Sequence, residues 1–202
     1  MDKEKNKQLI LDIIGFVLFS LGIAAIANSF FIQNPTQILW SCYLGLVIMG
    51  IGIIKRNSFL IMSQVYILAL PVLVWDIDFL YHLIFNAPLF GITDYFFTDK
   101  VFNLSKLISL QHLFSIPLAI YATKKIGLKR RDAWKWSFIQ IIVIYALVRI
   151  LTSPESNINC VFNPCVNVYF GLPYRLTWFL IIFGTTILTS FITNKFLIKN
   201  KS

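Results

Sequence analysis

Acidic residues, histidines and cysteines are all scarce in this chain: nine Asp and Glu stand against eighteen Lys and Arg, with two histidines and three cysteines in 202 residues. No glycine-rich phosphate loop and no dense His/Cys cluster occurs, so no soluble cofactor and no metal are expected. No internal repeat or low-complexity stretch is visible, and the length suits one domain over residues 1–202. What the chain has in abundance is apolar sequence. It is 57% hydrophobic with mean hydropathy +0.74, far from a soluble domain.

The apolar residues fall into six runs, at 9–31, 38–54, 59–75, 107–121, 133–151 and 176–191. Most reach or approach the roughly 20 residues a helix needs to cross a bilayer. The fold expected is all-α, a polytopic membrane bundle of about six transmembrane helices. The first run is too long for a signal peptide and lacks a small-residue cleavage site after its apolar core. Fourteen of the eighteen cations lie at the N-terminus (Lys3, Lys5, Lys7), at Lys55 and Arg56, between Lys124 and Lys135, and at the C-terminus (Lys195, Lys199, Lys201). Those are alternate gaps between runs, so the positive-inside bias puts both termini in the cytoplasm. The net charge of +9 then reads as a topogenic signal facing anionic headgroups of the inner leaflet, and nucleic acid is not needed to explain it.

Chemistry-bearing residues gather on the opposite side, in the long outer loops 76–106 and 152–175 and the helix ends beside them. The cytoplasmic half offers little but loop cations and Asp12. Cys42 lies about 6 Å inside the second run and His112 about 8 Å inside the fourth, at 1.5 Å per residue. A thiol and an imidazole at one depth suit a nucleophile and its general base, although a buried cysteine or a neutral histidine can equally serve packing. Asp78 and His82, four apart in WDIDFLYHLIF, would share a helix face, as a weak metal pair, a carboxylate orienting an imidazole, or a solvated helix end. The following stretch, 86–97, with Pro and Gly among aromatics, reads as a re-entrant or interfacial segment able to roof a lipid-sized cavity.

Arg149 either snorkels to the interface or holds a phosphate or carboxylate. Arg175 reads as an interfacial anchor, and Asn159 with its neighbouring asparagines could line a polar mouth. In the last outer loop, NINCVFNPCVNVYFGLPYR, Cys160 and Cys165 favour a disulfide over a metal pair in an oxidising compartment. No Asn of that loop begins an Asn-X-Ser/Thr acceptor.

The order of LWSCYLGLVI with Cys42, SLQHLFSIPLA with His112, the polar turn NINCVFNP and a final helix reading LIIFGTTILTSF resembles the androgen-induced membrane lipid hydrolases and the related YwaF-type bacterial membrane proteins. The resemblance spans roughly residues 36–194. It implies a membrane-embedded lipid hydrolase or acyltransferase acting on acyl esters, with Cys42 as nucleophile, His112 as base, and a membrane lipid as substrate. Two departures stand against it: Ser41 and Thr36 rival Cys42 for the nucleophile position, and no asparagine precedes His112. The competing expectation is a non-enzymatic lipid- or small-molecule-binding protein or transporter, using Asp78, His82, His112 and Arg149 as a binding or proton-relay network.

Overall fold

A computed structural model describes residues 3–98, 103–166 and 171–199. It is 79% helical, with no strand among the described residues. Among the described residues eight helices follow one another: α1 (Lys3–Phe31), α2 (Ser41–Ile54), α3 (Ser58–Phe85), α4 (Asp94–Thr98), α5 (Leu104–Ser109), α6 (His112–Ile126), α7 (Ala133–Leu151) and α8 (Tyr174–Lys199). Single 3₁₀ turns at Pro35–Leu39 and Ile158–Cys160 occupy the connections after α1 and α7.

Four helices are long and apolar enough to cross a membrane, over Lys3–Phe31, Ser58–Phe85, Ala133–Leu151 and Tyr174–Leu197. Their outward faces carry large apolar side chains, among them Phe16, Leu80, Ile142, Leu180 and Phe191. Apolar surface all round a bundle is what lipid solvates and water does not. The protein is therefore an integral membrane protein by composition and by surface.

The remaining two apolar runs form shorter helices than expected. α2, at 14 residues, is about 21 Å long against a hydrocarbon core of about 30 Å. Its expected first turn is instead the 3₁₀ turn at Pro35–Leu39, opened by a proline that lacks an N–H to donate. The fourth run breaks at Leu110 and Gln111, where 3₁₀-type bonds such as Gln111 N–H to Ile108 O (3.1 Å) replace the α pattern. Conversely, α3 runs on to Phe85, ten residues past the expected end at Trp75, and stops at Asn86 in the left-handed conformation (φ 52°). Asn57 starts α3 by accepting from the Phe59 and Leu60 amides (3.1 and 3.4 Å).

Two interfaces organise the bundle. α1 and α2 approach backbone to backbone, where a Cβ on Gly50 would come within 2.6 Å of Phe19 N and one on Gly22 within 2.9 Å of Val47 N. α3 is the central helix, packing against α2, α6, α7 and α8. Gln64 of α3 and Gln140 of α7 bond reciprocally, amide to carbonyl, at 2.8 and 3.0 Å. Ser137 Oγ donates to Ser63 O (2.7 Å), and Tyr66 OH donates to Asn194 Oδ1 of α8 (2.7 Å). These groups correct the expectation of a bare half toward the cationic end, because interhelical amides and hydroxyls are buried there. Apolar flanks hid them in the sequence.

The basic clusters do share one end. Arg56, in the α2–α3 turn, bonds Asp12 of α1 (2.8 Å). Lys129 N–H donates to Ser58 Oγ at the start of α3 (3.2 Å), and the Arg130 guanidinium lies 4.5 Å from the centre of the Phe59 ring. Lys124 of α6 lies over Phe196 of α8 at 5.9 Å.

Candidate functional site

At the opposite end, Asp78 is fully buried rather than solvated. Its Oδ1 accepts from the Leu89, Phe90 and Gly91 amides (3.1, 2.6 and 3.2 Å). Its Oδ2 accepts from Thr93 N–H and Thr93 Oγ (2.8 and 2.7 Å). Five donors fill the acceptor sites of one carboxylate. That bonding folds the segment after α3 back over the helix end and sets up α4. His82, one turn on, stacks on Phe97 (centroids 4.0 Å apart, planes 17° apart) with Nδ1 3.6 Å from Asp94 Oδ1. Asp78 and His82 thus share a face, but they hold the covering segment from two points rather than converging on one ligand. Among the described residues no three His, Cys, Asp or Glu side chains gather as metal ligands would.

The folded-back segment delivers Tyr95, a residue that sequence reasoning passed over. Tyr95 OH accepts from Trp75 Nε1–H (3.3 Å) and donates to Ser109 Oγ (2.9 Å), which donates to Ser105 O (2.9 Å). Ser105 Oγ in turn accepts from Asn28 Nδ2 of α1 (2.9 Å). Tyr95 and Ser109 each spend their one hydroxyl proton once, and the bonds from Trp75 and from Asn28 converge on Ser105. Asn28, a buried amide in an otherwise apolar stretch, and the i, i+4 pair Ser105 and Ser109 were the available signals for it.

His112 borders this network. Its ring lies 4.6 Å from that of Trp75, and Nδ1 lies 2.7 Å from Ser109 O. A carbonyl oxygen can only accept, which assigns the proton to Nδ1 and leaves Nε2 with a free lone pair. Cys42 is the second residue of α2 and a free, half-buried cysteine. Both candidate residues therefore sit in the first turn of their own helices. No hydrogen bond joins Cys42 to His112 among the described residues. Beside the Trp75–His112 stack in sequence, Asp76 Oδ1 and Gln111 Nε2 are buried without a hydrogen-bond partner among the described residues, an arrangement that costs roughly 1–3 kcal/mol each.

The loop between α7 and α8 closes over the start of α2. Asn159 Oδ1 accepts from Ser41 N–H (2.9 Å) and Asn159 Nδ2 donates to Leu39 O (2.8 Å), which satisfies the backbone where the 3₁₀ turn meets α2. Cys160 and Cys165 form a disulfide, their Cα atoms 5.6 Å apart. Asn157 Oδ1 holds the turn by accepting from the Phe162 and Asn163 amides (3.1 and 3.0 Å). Trp178 Nε1–H donates to Asn159 O (3.0 Å) and Tyr174 OH donates to Cys160 O, which ties the loop to α8. The Arg149 guanidinium lies 4.5 Å from the centre of the Phe162 ring, which ties it to α7. Arg175 is exposed on the first turn of α8. Of the sequence candidates, then, His112 borders the Tyr95 network, Cys42 begins α2 next to the Ser41 amide held by Asn159, and Arg149 fastens the same loop.

No family model matches the chain, and neither a curated protein nor a solved structure does.

Proposed function

We propose that this protein crosses the membrane six times with both termini in the cytoplasm, and that Cys42 and His112 act on an acyl ester of a membrane lipid at the outer end of the bundle. What supports the reading is the Tyr95 network with the His112 imidazole against Trp75 and Ser109, and the position of Cys42 at the start of α2, next to the Ser41 amide that Asn159 holds. The same two residues are those the resemblance to the androgen-induced lipid hydrolases implies. The segregation of cations at one end and the Cys160–Cys165 disulfide at the other support the assignment of sides.

In this chemistry Nε2 of His112 takes the Cys42 proton, and the thiolate adds to the ester carbonyl. Collapse of the oxyanion expels the lipid alkoxide, which takes the proton back from His112, and leaves a thioester on Cys42. Water or a second hydroxyl then attacks the thioester and regenerates the thiol. Sulfur and imidazole must close to roughly 3 Å in the reactive complex. The unpartnered Asp76 and Gln111 atoms are the polar groups best placed in sequence to meet a headgroup.

The test is purified full-length chain, with Cys42→Ala and His112→Ala variants, incubated with acyl-ester lipids and followed by mass spectrometry of released or transferred acyl chains. Loss of about 10²-fold or more in each variant supports the reading, as does a hydroxylamine-sensitive acyl adduct on Cys42. Undiminished turnover in both variants refutes it. The missing hydrogen bond between Cys42 and His112 favours a second reading, a non-enzymatic lipid-binding protein. That reading expects bound lipid released intact and no acyl adduct.

A further inference from the structure

We propose a second lipid site at the cationic end, distinct from Cys42 and His112: a groove between α7 and α8 that holds one anionic phospholipid, with its phosphate between Arg131 and Lys195. The groove is an open slot of about 670 Å³. It exists because α7 and α8 both rest chiefly on α3 and touch each other less. Its walls are Trp134, Ile187 and Phe191, and its rim carries Arg131, Asn194 and Lys195.

Charge complementarity names the occupant. Neighbouring Arg130 is engaged, with Asp132 at 2.6 Å and Phe59 beneath it. Arg131 and Lys195 make no hydrogen bond or ion pair among the described residues, and both are exposed. Asn194 gives its Oδ1 to Tyr66 and one Nδ2 hydrogen to Ser190, keeping a second hydrogen to donate. Two unpaired cations and an amide N–H over an aromatic and aliphatic slot fit a phosphodiester whose acyl chain runs down the slot. A zwitterionic lipid lacks the net charge, and free phosphate has nothing to place against Trp134 and Phe191.

The experiment is native mass spectrometry of the full-length protein released from detergent micelles, supplemented with phosphatidylglycerol or phosphatidylcholine of identical chains. Expected is one retained phosphatidylglycerol, favoured on the order of tenfold. That preference disappears in Arg131→Gln/Lys195→Gln, since each cation near a membrane surface is worth roughly fivefold. The charge-conserving Arg131→Lys/Lys195→Arg keeps it, which guards against misfolding as the cause. Lys3→Gln/Lys5→Gln, an equal charge loss at the same end, also keeps it. Equal retention of the two lipids overturns the proposal, as does a preference that survives the groove variant or falls equally in the Lys3/Lys5 variant. Displacement of the lipid by millimolar inorganic phosphate overturns the lipid as occupant.

Discussion

At the scale of single residues, a charged side chain in this fold is informative mainly through what it is bonded to. Asp78 looked like a candidate ligand because it is an acid in an apolar helix, yet its two oxygens take five donors from residues 89–93. An Asp78→Asn amide keeps one acceptor oxygen, so at least two of those donors lose their partner, at about 1–3 kcal/mol each. The amides of Leu89, Phe90, Gly91 and Thr93 should then exchange with deuterium much faster, while those in the middle of α3 do not; unchanged exchange over 89–93 contradicts this account. Asp132 offers a milder case at the cationic end. Hydrogen bonding from exposed Arg130 holds its carboxyl below the usual range, so what the pair contributes is present at neutral pH and lost as pH falls through that lowered value. Titration followed by carbon-detected resonance should show the Asp132 midpoint rise in Arg130→Gln.

At the scale of elements, helices meet here either through absent side chains or through paired amides. The α1–α2 contact leaves no room at Gly50, where an added Cβ meets Phe19 N at 2.6 Å and Gly15 O at 2.8 Å. Gly50→Leu must push the two helices apart, and a loss of about 1–3 kcal/mol should appear as a lower unfolding midpoint in detergent. Gln64 and Gln140 form the opposite kind of joint. A double-mutant cycle with leucine at both positions should give a coupling of about 0.6–1.7 kcal/mol, each single variant stranding its partner's amide and the double variant relieving it. Additive effects would mean that the amides act separately. The fourth apolar run carries the related lesson that composition does not specify continuity, since the break at Leu110 and Gln111 turns Ser109 O toward the His112 ring.

At the scale of the whole molecule, alternation of charge along the chain becomes polarity of the bundle. Contacts of Arg56 with Asp12, Lys129 with Ser58 and Lys124 with the Phe196 ring bring the α2–α3 and α6–α7 connections, α1 and α8 to one end. The proposed sidedness is open to direct measurement. With Cys42 replaced by Ser, a single reporter cysteine at Lys129 should resist a membrane-impermeant maleimide in intact cells, and one at Ser156 should react. The reverse pattern would invert the topology, and with it the assignment of Cys42 and His112 to the outer end.

Helix class, the existence of apolar runs and the pairing of Cys160 with Cys165 were legible in the sequence. Each depends on composition or short-range spacing that tertiary context does not rearrange. The run of α3 past Trp75, the short α2, and the roles of Tyr95, Asn28, Asn159 and Asp78 were decided only in three dimensions. Their partners lie from 11 to 120 residues away along the chain, and in a low-dielectric interior the identity of the bonded neighbour determines what a polar group does. A sequence names the polar groups that must be satisfied, and packing chooses which of them satisfy one another.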